Sequence, residues 1–197
     1  MKIKKILFLY IFVFFSGFFI INPVFAVPQA VIPNDPSYPE QWYLDKIGAP
    51  EAWGIKSDSS NIIIAVLDTG VDIDHPDLYK NIWINEDEIK DNGIDDDNNG
   101  YIDDVNGWDF FNKVADPNPK FSEGFTEIGL HHGTIVAGII AAEGNNNFGI
   151  TGINWSAKIM PLKVLSDKGE GSTVEVIQAI DYAIDNGADI INLSFVA

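Results

Sequence analysis

Cysteine is absent from this chain of 197 residues, and positively charged residues are few. Without cysteine there is no disulfide bond, no thiolate metal site and no cysteine nucleophile. Only 12 lysines and arginines stand against 29 aspartates and glutamates, which gives a net charge of −17 at pH 7. Such acidity repels nucleic acids and anionic membranes, so neither is an expected partner, whereas cations are compatible with it. Hydrophobic residues make up 46% of the chain, enough for the core of one domain or of part of a larger one.

The first 26 residues predict a signal peptide. Lysines at positions 2, 4 and 5 precede an apolar stretch at residues 6–21, and Val24-Phe25-Ala26 then ends in a small residue that suits signal cleavage. This stretch approaches the roughly 20 residues that span a membrane, so a retained anchor is the alternative, which Pro23 and Ala26 disfavour. We therefore expect a secreted protein of residues 27–197, with no stable membrane association after signal cleavage. Because it lacks disulfides, a bound metal is one way to brace it outside the cell.

Residues 62–78 are the stretch around which the chain is organised. Residues 62–67 are continuously apolar and mostly β-branched, which predicts a strand buried on both faces of a parallel sheet. Asp68 follows at the sheet edge where sites form in α/β proteins. An ionised carboxylate there must be held by hydrogen bonds or a charge, so Asp68 is the first candidate catalytic residue. An aspartate that caps a turn is the alternative, and Asp-Thr-Gly is also the signature of the all-β aspartic proteases.

The rest of the chain alternates predicted helices and strands. Four prolines in residues 27–43 predict an extended arm, and residues 45–54 predict a short helix that a proline interrupts. Residues 114–129 lack periodicity, which predicts a loop. The apolar residues 132–142 predict a buried helix that begins at His132, although its two glycines lower helix propensity.

Two further strands and a helix complete the pattern. Residues 158–165 and 189–195 are predicted strands, and Ser172 to Glu175 form a capping box that starts the helix between them. The apolar stripe of that helix, which we expect to face the core, consists of Val174, Ile177, Ile180 and Ile184. Strand, helix and strand in this order imply right-handed crossovers and a parallel sheet, which disfavours an all-β aspartic protease.

An acidic insertion occupies residues 83–109. Part of it follows the spacing of a calcium loop, in which alternate oxygen side chains, a glycine at the bend and a backbone carbonyl wrap a hard cation. The predicted calcium ligands are Asp95, Asp97, Asn99, Tyr101 and Asp103. The glutamate expected at the end of such a loop is replaced by Asn106, and Asp104 is a nearby substitute. The alternative is a solvated acidic turn without an ion.

Asp68 and His132 are predicted to meet at one edge of the sheet, since one ends a strand and the other starts a helix. A carboxylate beside an imidazole fixes the tautomer and stabilises the imidazolium, which makes histidine a general base. Such a pair needs a nucleophile, normally a serine. A lone histidine at a helix start is otherwise a cap or a surface residue.

These motifs resemble those of the subtilisin-like serine proteases, most closely their thermitase-like branch, over residues 34–195. Residues 67–72 are similar to the family's aspartate motif and residues 132–138 to its histidine motif, in the family's order. Two positions depart: His131 stands where glycine is usual, and Ile135 where a second histidine is common. The resemblance implies a three-layer α/β fold with a parallel sheet flanked by helices, incomplete at the C-terminus. It also implies a secreted endopeptidase that acts on polypeptides through an Asp-His-Ser triad.

The resemblance further implies a structural calcium site between the N-terminal arm and the loop after the histidine helix. Its implied ligands are the side chains of Asp35, Asp77 and Asn146 and the backbone carbonyls of Glu143, Phe148 and Ile150. Gly169, Glu170 and Gly171 resemble the family's substrate-binding edge strand, and Ser194 the start of the strand beside its primary pocket. The alternatives are oxygens that only satisfy turns, and an ordinary glycine-rich turn.

The resemblance ends before the family's nucleophile, which lies in a Gly-Thr-Ser motif, and before its oxyanion-hole asparagine. The serines after His132, at positions 156, 166, 172 and 194, do not lie in such a motif. We therefore expect no appreciable proteolysis from these residues alone. A non-catalytic calcium- or peptide-binding module on the same scaffold is the competing hypothesis. An aspartic protease would need a second Asp-Thr-Gly, which the sequence lacks.

Overall fold

Residues 29–121 and 126–195 are described by the computed structural model. The predicted signal peptide lies outside the described residues. Within these two ranges, no helix is both long enough and apolar enough to cross a membrane.

In the part of the chain that the structure describes, a four-stranded parallel sheet forms the centre of the fold. Its strands are β1 (Ile63–Asp68), β2 (Trp108–Asp109), β3 (Lys158–Lys163) and β4 (Ile190–Leu193), in the spatial order β2-β3-β1-β4. Asp68 at the end of β1 lies in register with Lys163 at the end of β3. The nearly continuous apolar sequence of β1 and β3 suits strands that are covered on both faces. The α/β class predicted from the sequence is confirmed.

Helices cover both faces of the sheet. The helices on the sheet are α3 (Glu127–Ala141) and α4 (Thr173–Asp185), while the shorter α1 (Trp42–Lys46) and α2 (Ala49–Trp53) pack on each other. There are also 3₁₀ turns at Tyr38–Glu40 and Tyr79–Asn81. Ile64 and Val66 of β1 share a core cluster with α3, whereas Ala65 and Leu67 share another with α4. Because successive side chains of a strand point to opposite faces, the sheet is the middle of three layers.

The N-terminal arm is more helical than its prolines predict. Helix α1 begins at Trp42, inside the stretch predicted to be extended. Pro50 does not interrupt a helix; it lies in the first turn of α2, where its missing N–H has no intrahelical partner to lose. Leu44 and Trp53 form a small core of their own, so tertiary packing stabilises these short helices.

The helix that carries His132 begins at Glu127, so the predictions of a loop to residue 129 and of a helix start at His132 are wrong. Thr126 caps the helix, because its side-chain oxygen accepts a hydrogen bond from the backbone N–H of Gly129 at 2.9 Å. Gly129 lowers the helix propensity of residues 127–131, which explains why the sequence does not indicate this first part of the helix.

Helix α4 begins with the capping box that the sequence predicts. The Ser172 side chain accepts from the N–H of Val174 at 3.3 Å, and the Glu175 carboxylate accepts from the N–H of Ser172 at 3.1 Å. These bonds satisfy backbone donors that would otherwise lack partners at the start of the helix.

The apolar stripe of α4 does not face the core as predicted. Val174, Ile177 and Ile184 are 59%, 58% and 61% exposed. The helix instead buries Ala179, Tyr182 and Ala183. Two of these side chains are single methyl groups, so the helix backbone lies close to the sheet. Of the predicted stripe only Ile180 packs against this core, whereas Val174, Ile177 and Ile184 point away from it.

Candidate active site

Asp68 lies at the carboxyl end of β1 and is completely buried. Its Oδ1 atom accepts a hydrogen bond from the backbone N–H of Thr69 at 2.7 Å. Its backbone carbonyl accepts from the N–H groups of Val164 at 2.9 Å and Leu165 at 3.2 Å, which follow β3. Both the main chain and the carboxylate are therefore fixed, because every one of these partners belongs to the sheet or its adjoining turn.

His132 reaches this carboxylate from α3. Its Nδ1 atom lies 2.8 Å from Oδ1 and 2.9 Å from Oδ2 of Asp68, and its side chain is 36% exposed. An ionised carboxylate only accepts hydrogen bonds, so Nδ1 is the donor in this contact, and in the neutral imidazole Nε2 then presents a lone pair. The pair therefore has the arrangement of a histidine general base with an aspartate that orients it.

Gly133 lets α3 approach the turn after β1. A Cβ atom at this position would lie 2.2 Å from the carbonyl oxygen of Gly70 and 3.0 Å from the Cβ atom of Asp68. The backbone N–H of Gly133 also donates to the Thr69 side-chain oxygen at 3.3 Å. The absence of a side chain beside His132 is thus what allows the imidazole to meet Asp68.

The neighbouring His131 takes no part in this contact. Its side chain is 53% exposed, and its Nε2 atom lies 3.6 Å from the carboxylate of Glu127 on the outer surface of α3. Of the two consecutive histidines, the structure brings only His132 to Asp68.

No serine or threonine hydroxyl is hydrogen-bonded to His132 in residues 29–121 and 126–195. Ser194 lies beyond the end of β4, where it is exposed and its hydroxyl donates to the side chain of Asn192 at 2.8 Å. The described residues therefore supply a base and its orienting carboxylate, and the nucleophile predicted by the resemblance is not among the partners of that base.

The segment of Gly169, Glu170 and Gly171 forms an exposed turn between β3 and α4 rather than a strand. The N–H of Ser166 donates to the Glu170 carbonyl at 2.8 Å, and the N–H of Gly169 donates to the Ser166 carbonyl at 2.9 Å. Gly169 has φ of +81°, and a Cβ atom at Gly171 would lie 2.4 Å from the Val164 carbonyl oxygen. The glycines are thus required by the turn itself, and peptide binding here stays a prediction.

The residues of the predicted arm-to-loop calcium site come together. Asp35 is 3% exposed, and its two carboxylate oxygens accept from the N–H groups of Asn145 at 2.7 Å and Asn146 at 3.0 Å. Asp77 is 2% exposed and accepts from the Asn146 amide at 2.8 Å and from the N–H of Ile150 at 3.0 Å. Glu143 is held in a salt bridge with Lys80 at 2.9 Å.

The charge balance of this cluster suits a cation. In the described ranges no lysine or histidine forms a salt bridge with Asp35 or Asp77, although both are buried. Burial raises the pKa of Asp77, and the nearby charge of Asp35 raises it further. Two buried carboxylates without a salt-bridge partner, beside a loop that includes Phe148, are a donor set that a hard divalent cation would stabilise.

The acidic insertion forms a second cluster of carboxylates. Oxygen atoms of Glu88, Asp95 and Asp97 lie within 4.8 Å of one another. Glu88 is 7% exposed, and no sequence spacing indicated it. Its side chain also accepts from the N–H of Asp103 at 3.1 Å, so the insertion folds around it.

Other predicted ligands of the insertion have different contacts. The Asp103 carboxylate accepts from the N–H of Asn92 at 2.9 Å, while the Asn99 amide donates to Asp97 and Asp104 at 2.9 and 3.0 Å. Burial raises the pKa of Asp104, whose other partners are the hydroxyl of Tyr182 and the side-chain amide of Asn85. The backbone N–H of Tyr101 donates to Asn99 at 2.8 Å.

Comparison with known proteins gives one consistent result. Residues 59–196 match the model of the subtilase family. The chain is 39% identical over 165 residues to subtilisin-like protease 1 of Plasmodium berghei, which covers 82% of this chain and 26% of that protein. It is 37% identical over 163 residues to thermitase of Thermoactinomyces vulgaris, which covers 82% of this chain and 47% of thermitase.

A similar solved structure is that of a protease from Pseudoalteromonas arctica. The match has a TM-score of 0.58 and 32% sequence identity, and it covers 84% of this chain and 51% of that one. The chain therefore spans about a quarter of the Plasmodium protease and about half of the other two proteins.

Proposed function

Because the chain belongs to the subtilase family of serine peptidases, we propose that Asp68 and His132 are two members of an Asp-His-Ser triad that hydrolyses peptide bonds. The observation that carries this proposal is the contact of the His132 Nδ1 atom with both carboxylate oxygens of Asp68, at 2.8 and 2.9 Å. The buried carboxylate accepts from Nδ1–H, which leaves Nε2 to take a proton from a hydroxyl.

In the proposed reaction, these two residues hold and move one proton. Nε2 of His132 removes the proton of a serine hydroxyl as its oxygen attacks the scissile carbonyl, and later gives that proton to the leaving amine. Asp68 stays ionised and stabilises the imidazolium formed in between. The activity belongs to a protein that also supplies this serine and donors for the oxyanion.

The substrate we propose is a polypeptide that binds beside Gly169, Glu170 and Gly171, with Ser194 on the opposite side. Exposure of this turn, which follows the end of β3 that lies in register with Asp68, supports the proposal, because exposed main-chain groups can bind peptides of many sequences. The signal-like pattern of residues 1–26 supports secretion.

Calcium is the cofactor we propose, with a structural role. Asp35, Asp77 and Asn146 would hold one ion between the arm and the loop of residues 143–150, and Glu88, Asp95 and Asp97 would hold another in the acidic insertion. Buried carboxylates without a cationic partner support the first site, and three converging carboxylates support the second. Bound calcium would join distant segments and disfavour their separation.

The triad is tested by peptide hydrolysis with a longer form of the protein that includes a Gly-Thr-Ser segment of the family. We predict that Asp68→Asn and His132→Ala each lower kcat by about 10⁴-fold or more, because each removes the oriented base. His131→Ala is the matched control and should retain activity, since its imidazole lies on the outer face of α3.

Equal rates for the Asp68 and His132 variants and the parent protein would reject the proposed triad. Calcium and peptide binding without any hydrolysis by the parent protein would instead support the competing hypothesis of a non-catalytic binding module.

A further inference from the structure

Lys163 is a buried cation beside the proposed active site. It ends β3, is 1% exposed, and lies in register with Asp68 of β1 on one side and Asp109 of β2 on the other. Removing an ammonium group from water is costly unless its charge is compensated and its N–H groups are hydrogen-bonded. A buried lysine at this place therefore needs specific partners.

The ammonium group of Lys163 has three such partners. It donates to the carbonyl oxygen of Thr69, to the carbonyl oxygen of Leu165 at 2.8 Å and to the Oδ1 atom of Asp167 at 3.0 Å. A protonated lysine has three N–H donors and no acceptor, so all of its donors are used.

One partner, Thr69, contacts both halves of the proposed dyad. Its N–H donates to Asp68 Oδ1 at 2.7 Å, and its side-chain oxygen accepts from the N–H of Gly133, the residue after His132, at 3.3 Å. The carbonyl of the same residue is held by Lys163. The ammonium group thus anchors the peptide that orients the carboxylate and contacts α3.

Another partner, Asp167, leads to the start of α3. Its carbonyl oxygen accepts from the N–H of Thr126, the N-cap of this helix, at 3.2 Å. A Cβ atom at Gly129 would lie 2.4 Å from that oxygen, so the first turn of α3 packs directly on Asp167. Through this aspartate, Lys163 is connected to the helix that carries His132.

We propose that Lys163 is a positioning residue, whose buried ammonium group holds the turn after β1 and the start of α3 so that Asp68 faces Nδ1 of His132. The inference deepens the proposed function, on which it rests, because it concerns the geometry of the same dyad. It assigns Lys163 no contact with substrate or with the reacting atoms.

The test is NMR of the full chain labelled with ¹⁵N-histidine. The sequence has only three histidines, so the imidazole signals are few. A proton in a hydrogen bond between an imidazole and a carboxylate gives a low-field N–H signal, which His132→Gln must remove if it belongs to the dyad. We expect this signal in the parent chain and its loss in Lys163→Met.

Two further variants separate positioning from general stability. The double variant Lys163→Met, Asp167→Asn removes the lysine together with its buried acidic partner, so neither charge is left without the other. It is used if Lys163→Met alone does not fold, and it should also lack the low-field signal. Met160→Ala is the matched control, because Met160 lies in the same strand, is fully buried and packs on the α4 face of the sheet. It should lower stability yet keep the signal.

Persistence of the low-field signal in the folded Lys163 variants would overturn the inference, and so would an equal loss of the signal in Met160→Ala. In both cases the signal in the parent chain would still support the dyad of the proposed function. Absence of the signal from the folded parent chain would instead show that the dyad does not form, which is a failure of the proposed function.

Discussion

Two glycines in α3 stand in contrasting surroundings. A methyl group at Gly133 would lie 2.2 Å from the Gly70 carbonyl oxygen, whereas at Gly138 its nearest neighbour would be the Cδ1 atom of Ile150 at 3.5 Å. We predict that Gly133→Ala lowers the free energy of unfolding by about 1–3 kcal/mol, since it forces the helix away from backbone atoms. Gly138→Ala should raise it by about 0.5–1 kcal/mol, because alanine favours the helix without a clash.

Urea denaturation of the two variants measures this difference directly, and the pair controls for the change in composition. If both alanines stabilise the chain, then Gly133 is not needed for the close approach of α3, and the explanation given for the contact between His132 and Asp68 is wrong.

At the scale of single residues, sequence reasoning finds those that interrupt a pattern. Asp68 is detectable because it ends an apolar run, and its contact with His132 follows from the geometry of parallel strands. Lys163 also interrupts an apolar run, between Leu162 and Val164, but its partners include two backbone carbonyls whose approach no side-chain pattern reveals. Glu88 is equally hidden, because its neighbours are assembled by an irregular loop.

At the scale of elements, the start of α4 depends on a single cap. We predict that Ser172→Ala lowers the free energy of unfolding by about 1 kcal/mol, because the N–H of Val174 then loses its acceptor and Glu175 loses its partner hydroxyl. Thr173→Ala, at the next and likewise exposed position, is the control and should change stability by less. Thermal unfolding followed by circular dichroism compares the two, and equal losses would contradict a capping role.

Element boundaries were predicted where a local signal exists and missed where packing decides. The capping box fixes the start of α4, but the α3 start at Glu127 is obscured by Gly129. The facing of α4 was predicted wrongly for Val174, Ile177 and Ile184, because hydrophobicity alone favoured them, whereas the core contacts the alanines of this helix and Ile180. Small side chains allow a helix to pack more closely on a sheet than large ones do, and the spacing of hydrophobic residues along the sequence does not reveal this.

At the scale of the whole molecule, acidity and calcium are linked. We predict that calcium raises the thermal midpoint of unfolding and that a chelator reverses the change. For one site, the free energy of unfolding should rise by about 2.7 kcal/mol when free calcium is at a hundredfold excess over the dissociation constant. Asp77→Asn should remove the part of this calcium-dependent stabilisation that comes from the site between the N-terminal arm and the loop of residues 143–150. Asp74→Asn is the control, because it makes the same charge change at an exposed position three residues earlier.

Scanning calorimetry with calcium, with magnesium and with sodium chloride at equal ionic strength separates ion binding from screening of the net charge of −17. An equal effect of all three salts would contradict specific sites, and an equal effect of calcium on both aspartate variants would contradict the site at Asp77.

The parallel sheet at the centre of the fold was predictable because three largely apolar segments indicate three of its strands. The fourth, β2, has only two residues and lies within the acidic insertion, so no run of hydrophobic residues indicates it. Its pairing with β3 depends on Trp108 reaching the position opposite Leu162, which is a property of the folded chain.

The strand order has a consequence for the kinetics of folding. β1 is made early in the chain, yet both of its neighbours come late, with Ile63 opposite Lys158 and Ile64 opposite Ile190. The chain must therefore lose the entropy of closing a large loop before the hydrogen bonds between β1 and its neighbours can form. This slows folding compared with a helical protein of similar size. Until then β1 is an apolar strand segment without a pairing partner. During biosynthesis the nascent chain is therefore most vulnerable to aggregation in the interval before residues 158–163 emerge.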